Sequence, residues 1–560
     1  MLLLRLTAIL LTLSVCFAQP PVSWNRNYGG PLEERCQAMT EAWDGGYILA
    51  GLTESYGAGA WDGWLVKIDS SGDTLWTRTF GGPGDDEFTS VQRTWDGGYI
   101  LAGGSFVSDD LNWQFWLVKT DGQGNELWSR TYGGWHTDYC QSVVQTADDG
   151  YLLAGYKGPV GGMDYQGWAI KTDANGDTLW THLYGGQNED EFFTGIECRD
   201  GSYIFGGWYM FLNPVHSRFW TVKTAANGSV QWSDWYGTSD FDRWVSVIEA
   251  DNGDFIFSGD GSHALMRITS TGDSLWTVNT PGQNFNAAPA SDGNFVFAGA
   301  FFQLCKISPN GGMLWTGQYL NETCWSFMPV SDGGYLLGGF GWFAQGDLNI
   351  YVVKVHADSP VPHISADTDS IAFGEITPGD TAVVDLTVAN DGDADVVLRT
   401  VRLSSPFLID AELPLTLARG EELTLPIGFS PEPLQDYGET CFLLTNIPGP
   451  PVRVYLSGEG GQNSVNDGSD LLPDQLRLLP SYPNPFNSAT TIAFDLPRAG
   501  NVIVSVFDIA GRTVAELGRG NYSAGRHTIL FDAHELPSGI YFVRLSSGEF
   551  SMHQKLALVR

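Results

Sequence analysis

The sequence predicts an all-β chain, because three sequence landmarks each recur seven times between residues 24 and 357. They are the aromatic residue that ends a DGG-like turn, the tryptophan of a WTRTFGG-like segment, and a WLVK-like segment. The turn aromatics are Tyr47, Tyr99, Tyr151, Tyr203, Phe255, Phe295 and Tyr335, spaced by 52 residues over the first four steps and by 40 over the last two. A repeat of this length with four strands is typical of a propeller blade. The predicted fold is therefore a seven-bladed β-propeller followed by two small β-sandwich (Ig-like) domains.

The first full period shows how four strands fit into one blade. Alternating aromatic and β-branched residues, bounded by Gly/Asp turns, are typical of β-hairpins. The predicted strands are Arg35–Ala42, Tyr47–Thr53, Gly63–Asp69 and Thr74–Phe80. No segment has apolar residues at helical spacing, which excludes a helical solenoid.

The order of the landmarks predicts how the ring closes. The chain begins with a lone WNRNYGG segment at Trp24–Gly30, and the repeats end at Tyr351–His356 without one. We therefore expect the N-terminal strand to complete the seventh blade, which removes two exposed strand edges. The propeller is predicted to span residues 19–357.

The first 18 residues read as a secretory signal peptide. One arginine precedes an apolar run, and the small residues Cys16 and Ala18 follow it, so cleavage after Ala18 is expected. The alternative is a lipoprotein signal at Leu13–Cys16, although Val15 lies where such a signal has a small residue. The apolar run is short for a membrane span, and we expect no transmembrane segment in the mature chain.

The net charge limits the classes of binding partner, and the cysteine content indicates whether disulfides stabilise the fold. The formal net charge is −36, which disfavours binding to nucleic acid or to anionic lipid. Six cysteines remain after residue 18, too few for a disulfide framework. Three of them, Cys36, Cys140 and Cys324, share a repeat position with Phe88, Phe192 and Trp244, so we interpret the position as a packing site.

One face of the propeller is expected to carry any function. The tight DGG and SSGD-like turns are nearly uniform and are assigned to an inert face, whereas the fourth-to-first and second-to-third connections vary and share the other face. Six carboxylates at the start of the innermost strands would ring the channel mouth: Glu34, Asp86, Asp138, Asp190, Asp242 and Glu322. They could bind a cation such as Ca²⁺, but their repetition favours a structural role in accepting backbone hydrogen bonds.

Long second-to-third connections, such as Gly104–Phe115, Gly207–Phe219 and Gly339–Asn349, carry candidate ligand-binding aromatics. These are Trp61, Trp113, Tyr165, Trp208, Phe211 and Trp342. Aromatic rings beside carboxylates are typical of carbohydrate sites, and the alternative is that the rings pack between blades. No catalytic residues, resident metal or cofactor are predicted, since no catalytic or zinc-binding motif is present.

The repeat region resembles the bacterial surface-protein β-propeller repeat family, whose units read WLVKxDxxGxxLWxxxxGG and then DGGYxxAG. All tryptophans lie at or before Trp342, so a domain boundary is expected soon after it. Residues 361–457 then resemble Ig-like modules of the Hydin and abnormal-spindle type, through Phe373-Gly374, Gly379 and Val384–Asn390. This resemblance implies a spacer or a binding scaffold. Residues 458–475 read as a flexible linker.

Residues 476–560 resemble the C-terminal sorting domain of type IX secretion substrates. The motifs are YPNPFN (482–487), DIAGR (508–512) and SGIYFVRL (538–545), with a basic end. The resemblance implies a β-sandwich recognised by the type IX machinery and export to the medium or the outer surface of a diderm bacterium. A structural cap of the kind found on flagellar-hook proteins is the alternative.

The leading functional hypothesis is therefore a secreted or surface propeller that binds an extracellular protein or glycan without catalysis. Two alternatives stay open. One is a carbohydrate-active enzyme that uses carboxylates on the face with the variable connections, and the other is a structural surface-layer component.

Overall fold

A computed structural model describes the chain from residue 19 to residue 558. The undescribed segments within this span are 108–111, 135, 159–164, 187–188, 213–214, 238–242, 261–264, 279–283, 291, 343–347, 359–360, 462–475, 480, 482–483, 485, 487–488, 510, 534–535 and 549. The predicted signal peptide, most of the predicted linker, Asp242 and the side chain of Trp342 lie outside the described residues.

The described residues from 22 to 355 form seven four-stranded antiparallel sheets, one for each predicted blade. Blade 1 consists of β2 (Glu34–Glu41), β3 (Tyr47–Thr53), β4 (Asp62–Ile68) and β5 (Thr74–Phe80). Blade 2 consists of β6 (Asp86–Arg93), β7 (Tyr99–Val107), β8 (Asn112–Thr120) and β9 (Glu126–Tyr132). Blade 3 consists of β10 (Asp138–Gln145), β11 (Tyr151–Lys157), β12 (Gln166–Thr172) and β13 (Thr178–Tyr184). Blade 4 consists of β14 (Asp190–Glu197), β15 (Tyr203–Leu212), β16 (Val215–Thr224) and β17 (Val230–Tyr236). Blade 5 consists of β18 (Arg243–Glu249), β19 (Phe255–Asp260), β20 (Leu265–Ile268) and β21 (Ser274–Val278). Blade 6 consists of β22 (Asn284–Pro289), β23 (Phe295–Gly299), β24 (Gln303–Ile307) and β25 (Met313–Gln318).

Blade 7 joins the two ends of the propeller and confirms the predicted closure. It consists of β26 (Thr323–Pro329), β27 (Tyr335–Trp342), β28 (Leu348–Val355) and the N-terminal strand β1 (Val22–Tyr28). β1 pairs antiparallel with β28, with Trp24 opposite Lys354 and Tyr28 opposite Ile350. The ring is thus closed by backbone hydrogen bonds between sequence-distant strands.

The cores between blades explain the shared cysteine and aromatic position. Cys36, Cys140 and Cys324 are buried free thiols. In blade 2, Phe88 stacks on Trp116 of the same blade with ring centroids 4.6 Å apart, and in blade 5, Trp244 stacks on Phe219 of blade 4 at 3.8 Å. The position is therefore a packing site, filled by a small thiol or by a ring that stacks on the third strand.

The three long connections named from the sequence are in large part extensions of the blade strands, and in blade 7 the pairing reaches Trp342 and Leu348. β15 and β16 stay paired out to Leu212 and Val215, and β7 and β8 out to Val107 and Asn112. The aromatic residues that suggested exposed loops stabilise these extensions across the strands. In blade 4, for example, Phe211 stacks on His216 with ring centroids 4.8 Å apart.

A buried cation pairs with a turn carboxylate in all seven blades. The basic residue of the third strand reaches the DGG-like turn, and the six lysines are 2–5% exposed at their side chains. The pairs are Lys67–Asp44, Lys119–Asp96 (2.8 Å), Lys171–Asp148 (2.8 Å), Lys223–Asp200 (3.5 Å), Arg267–Asp254 (2.9 Å), Lys306–Asp292 (2.8 Å) and Lys354–Asp332 (2.6 Å). Each pair fixes the turn onto its own blade.

An Ig-like module follows the propeller within the same compact unit, which extends to Gln462. Its strands are β29 (Ile364–Ala366), β30 (Ser370–Ile376), β31 (Ala382–Asn390), β32 (Val396–Arg402), β33 (Phe407–Ile409), β34 (Leu415–Leu417), β35 (Glu422–Phe429), β36 (Asp436–Thr445) and β37 (Val452–Gly460). They form two sheets, in the orders β29-β31-β35-β33 and β30-β37-β36-β32-β34. The last strand extends to Gly460, three residues past the predicted end of the module.

Residues 463–560, which include the predicted sorting region 476–560, form a second compact unit. Its described strands are β38 (Arg477–Leu478), β39 (Ala489–Leu496), β40 (Gly500–Asp508), β41 (Thr513–Tyr522), β42 (Gly525–Asp532), β43 (Gly539–Ser547) and β44 (Phe550–Leu558), in sheets ordered β38-β39-β42 and β41-β40-β43-β44. Asn484 of the YPNPFN motif donates to Lys555 O at 2.8 Å and accepts from Ala557 N at 2.7 Å. The motif is thereby tied to the last strand. Among the described residues, no helix is long and apolar enough to cross a membrane.

The Lys171–Asp148 pair generates a stability prediction. Asp148→Asn keeps the acceptor for Gly150 N but leaves the buried Lys171 ammonium without a counter-charge. We expect a loss on the order of 2 kcal/mol, below the ~3–5 kcal/mol of a fully buried pair because Asp148 is half exposed. Adding Lys171→Met should restore most of the loss. Urea denaturation followed by tryptophan fluorescence measures this, since every tryptophan lies in the propeller.

The stabilisation that the Lys171–Asp148 pair contributes should decrease at acid pH. Burial alone would raise the pKa of Asp148, but hydrogen bonds from Lys171 and Thr146 outweigh it and hold the pKa below its ordinary value. The stabilisation is therefore present above about pH 4 and is lost as the pH falls further. If Asp148→Asn and the double variant lost equal stability at neutral pH, the buried charge would not be the cause.

Candidate functional site

The innermost strand of every blade lines a central channel. A cavity of about 820 Å³ lies between β2, β6, β10, β14, β18, β22 and β26. Its volume falls within the range of ~300–1,000 Å³ that is typical of small-ligand sites. The connections at one end hydrogen-bond across blades, since Asp86 N donates to Trp61 O at 2.9 Å and Asp190 N to Tyr165 O at 2.8 Å. These bonds confirm that the two variable connections share one face, which we call the variable face.

Each innermost strand carries a β-bulge of one residue, and these residues define the chemistry of the channel. The bulged residues are Gln37, Thr89, Gln141, Phe193, Val245, Phe285 and Trp325. All except Phe285, whose side chain is not described, line the cavity. Blades 1 to 3 contribute the polar members, whereas blades 4, 5 and 7 contribute Phe193, Val245 and Trp325. We call the bulge residues of blades 1 to 3 the polar wall and those of blades 4, 5 and 7 the apolar wall. The rest of the lining is mixed, with Val143 on the polar side and Thr194 on the apolar side.

The polar wall is organised around Glu87. Its carboxylate accepts hydrogen bonds from the Gln37 amide and from the Tyr139 hydroxyl. Burial, and then the adjacent Glu87 carboxylate, raise the pKa of Tyr139, so its hydroxyl stays protonated and donates. Three polar side chains from three blades are thus held in fixed orientation beside the cavity.

Arg35 lies between aromatic rings at the junction of blades 7 and 1. Its guanidinium carbon is 5.8 Å from the ring of Trp61, 5.9 Å from that of Trp325 and 5.2 Å from that of Phe340. The guanidinium also pairs with Glu33. These contacts hold the Arg35 guanidinium beside Trp325, at the edge of the apolar wall.

Phe301 presents an exposed ring to the cavity from the short connection in blade 6. The residue is 53% exposed and lines the channel, and both Phe301 and Phe302 have positive φ, at 61° and 50°. This left-handed conformation costs a non-glycine residue roughly 1–2 kcal/mol. Strained backbone of this kind is concentrated at functional sites. Phe302 is buried, so it anchors the turn that displays Phe301.

The predicted acidic residues lie buried in the connections instead of facing the channel. Four of the six carboxylates accept from the glycine N–H four residues earlier, at 2.8 Å for Glu34, 2.8 Å for Asp86, 3.1 Å for Asp138 and 2.7 Å for Asp190. A second backbone donor reaches three of them: Ser55 N to Glu34, Gly158 N to Asp138 and Met210 N to Asp190. Glu322 is half-buried, and Asp242 is not described. This arrangement is that of a structural cap.

The predicted aromatic residues fall into two groups. Trp61, Trp113 and Tyr165 connect to the channel: Trp61 through Arg35, Trp113 by an edge contact with Tyr139 at 5.5 Å, and Tyr165 through Tyr156 at 5.1 Å. Trp208 and Phe211 belong to the blade 4 hairpin, where Arg218 lies 5.4 Å from the ring of Phe211. All five are half-buried, so their rings pack within or between blades. Their role in binding stays a prediction.

Several channel residues were not predicted from the sequence. Gln37, Glu87 and Tyr139 alternate with buried residues along their strands, and no landmark distinguishes them. The bulge residue is the available signal, because it differs from blade to blade, whereas the residue after it is Ala, Ser or Thr in six of the seven blades. Phe301 has no signal of its own, since its exposure depends on the backbone conformation of a three-residue connection.

Two segments of the chain match known domain families. Residues 481–559 match the secretion system C-terminal sorting domain, and residues 362–459 match the HYDIN/CFA65/VesB-like Ig-like domain. Both matches confirm the resemblances seen in the sequence. The protein is therefore secreted or located at the outer surface of a diderm bacterium, and it carries the sorting domain of the type IX pathway.

No curated protein sequence matches the chain. Among solved structures, the WD40 β-propeller domain of Doa1 is similar at 14% identity and a TM-score of 0.41, covering 60% of this chain and 97% of that one. BamB from Moraxella catarrhalis is similar at 10% identity and a TM-score of 0.34, covering 59% and 85%. A protein of unknown function from Bacteroides caccae is similar at 14% identity and a TM-score of 0.34, covering 46% and 90%. The seven-bladed architecture rests on the strand pairing, and these likenesses carry no functional information.

The capping geometry predicts how the propeller responds to calcium. Because backbone N–H groups already occupy the carboxylates, about 10 mM CaCl₂, well above the weakest extracellular Kd of ~1 mM, should leave the melting temperature unchanged. Differential scanning fluorimetry with CaCl₂ against EDTA measures this. A rise of several degrees that disappears in Asp138→Asn would contradict the structural interpretation.

Proposed function

We propose that the protein is an exported glycan-binding protein whose site is the channel mouth on the variable face. The observation that carries the proposal is the division of one cavity into a polar and an apolar wall. A pyranose ring has the matching chemistry, since its hydroxyls form hydrogen bonds and its C–H face packs on aromatic rings.

The side chains around the cavity suit this ligand. Glu87 and the Gln37 amide can exchange hydrogen bonds with sugar hydroxyls, while Arg35 adds donors at the rim. Phe193, Trp325 and Phe301 offer rings on the opposite side. The exposed ring of Phe301 is the best placed for stacking, because the hairpin turn between β23 and β24 displays it beside the cavity.

A protein ligand is the second candidate, because the same rim could take an aromatic or basic side chain. A glycosidase needs two carboxylates facing one another across the substrate. Among the described residues that line the cavity, Glu87 is the only carboxylate, so no observation favours catalysis over binding.

Phe301→Gly separates binding from stability. Glycine accepts the positive φ without strain and removes only an exposed ring, so the melting temperature should stay the same or rise. Binding to an array of neutral and acidic oligosaccharides should fall at least tenfold, which corresponds to about 1.4 kcal/mol.

The matched control is Trp235→Ala on β17. Trp235 is 43% exposed and does not line the cavity, so its removal should leave glycan binding unchanged. Equal losses in both variants, or full binding by Phe301→Gly, would place the site elsewhere. Binding to proteins of the host or medium but to no oligosaccharide would favour the protein ligand.

A further inference from the structure

The tight-turn face of the propeller, which the sequence predicts to be inert, is where the Ig-like module docks. Phe442 of the module packs against Trp43 and Trp95, with ring centroids 6.0 and 4.9 Å apart. Arg402 lies 4.9 Å from the ring of Trp95, and Arg453 lies 4.8 Å from that of Trp43. The aromatic residues that precede the first two DGG turns thus form a seat for the module.

Ion pairs extend this seat across the ring. Arg402 pairs with Asp149 of blade 3 at 2.5 Å, and Arg399 pairs with Asp251 of blade 5 at 2.7 Å. On the opposite side, Gly333 of blade 7 lies so close to Val361 that an added Cβ would be 2.6 Å from its side chain. Contacts with blades 1, 2, 3, 5 and 7 place the module across the channel axis and not at its rim.

The loop between β36 and β37 lies at the end of the channel. Gly449 O accepts a hydrogen bond from Arg93, and Gly449 is so close to Glu41 that an added Cβ would be 2.5 Å from the carboxylate. Burial lowers the pKa of Arg93 to about 10, which leaves it charged at neutral pH. Glu41 is held in turn by Ser331 of blade 7, whose N–H donates to it at 3.0 Å. The loop is therefore bonded to the last residues of the innermost strands.

A second cavity of about 350 Å³ continues the channel down to this loop. It is lined by Met39, Val91 and Gln92, which also line the main cavity, and it ends at Gly449. The two cavities follow one another along the same strands, so the channel runs from Arg35 at the variable face to Gly449 at the tight-turn face.

We infer that the channel is a one-ended pocket, stoppered by the Gly449 loop, which binds the terminal residues of a glycan chain and not its interior. The inference rests on the proposed function and adds the class of ligand. A polymer that crosses a binding site needs an exit at each end of it. Among the described residues, the Gly449 loop and the module behind it cover the tight-turn end of the channel, so the chain end must enter first from the variable face.

The test is an extension series measured by isothermal titration calorimetry with the full mature chain. The shortest oligosaccharide that binds on the array is compared with derivatives extended by one residue at the non-reducing end, and with others extended at the reducing end. Extension at one end should weaken binding at least tenfold, whereas extension at the other end should change the Kd less than threefold. Equal tolerance at both ends would overturn the inference while leaving glycan binding intact; failure of every oligosaccharide to bind would overturn the proposed function itself.

A charge reversal tests the role of the module. In Arg402→Glu a carboxylate faces the like charge of Asp149, which should loosen the module. The loss of affinity caused by extending the inserted end of the oligosaccharide should then become at least threefold smaller. The matched control is Arg419→Glu, because Arg419 pairs with Asp393 inside the module at 2.9 Å and its side chain is 69% exposed. A penalty unchanged by Arg402→Glu would show that the Gly449 loop does not close the channel.

Discussion

The buried pair between a third-strand cation and a turn aspartate is the constraint on which the propeller depends. A lysine that is 3% exposed at its side chain, as Lys171 is, cannot stay charged inside a blade without a nearby carboxylate. The DGG-like turn supplies it in six blades. In blade 5, where Asn252 takes the place of that aspartate, Asp254 pairs with Arg267 instead. This requirement accounts for the near uniformity of one face through seven blades.

The uniform face has a second consequence, because it offers a regular platform for the Ig-like module. In blade 3 the two consecutive aspartates divide these tasks: Asp148 neutralises Lys171, and Asp149 binds Arg402 of the module. The opposite face carries no such requirement. Its connections range from the long hairpin of blade 4 to the short turn at Phe301, and its bulge residues differ from blade to blade.

Much of the fold could be predicted because it depends on local, repeated patterns. The strands Tyr47–Thr53 and Thr74–Phe80 match their predicted bounds, and the N-terminal closure followed from a landmark missing at the other end. The lysine of WLVK and the aspartate of DGG were equally regular, so their pairing could have been predicted as well. The long hairpin of blade 4 was predicted as a loop, because its glycines and its aromatic residues are also typical of an exposed connection.

The site was less predictable because its residues are defined by geometry. A β-bulge shifts one residue out of register without leaving a mark in composition, so Gln37 and Trp325 look like ordinary strand residues. The carboxylates chosen for their repetition proved to cap their own connections, since a repeated residue serves what all blades share. The docking of the Ig-like module depends on contacts between residues some 250 positions apart in sequence, such as Arg402 with Asp149.

A crystal structure with the tightest-binding oligosaccharide tests most directly whether the ligand binds at the channel mouth. We expect a terminal sugar inside the channel, hydrogen-bonded to Glu87 and stacked on Phe301 or Trp325, with the rest of the chain leaving through the variable face. A sugar bound on the outer strands of the blades, with the channel empty, would contradict it.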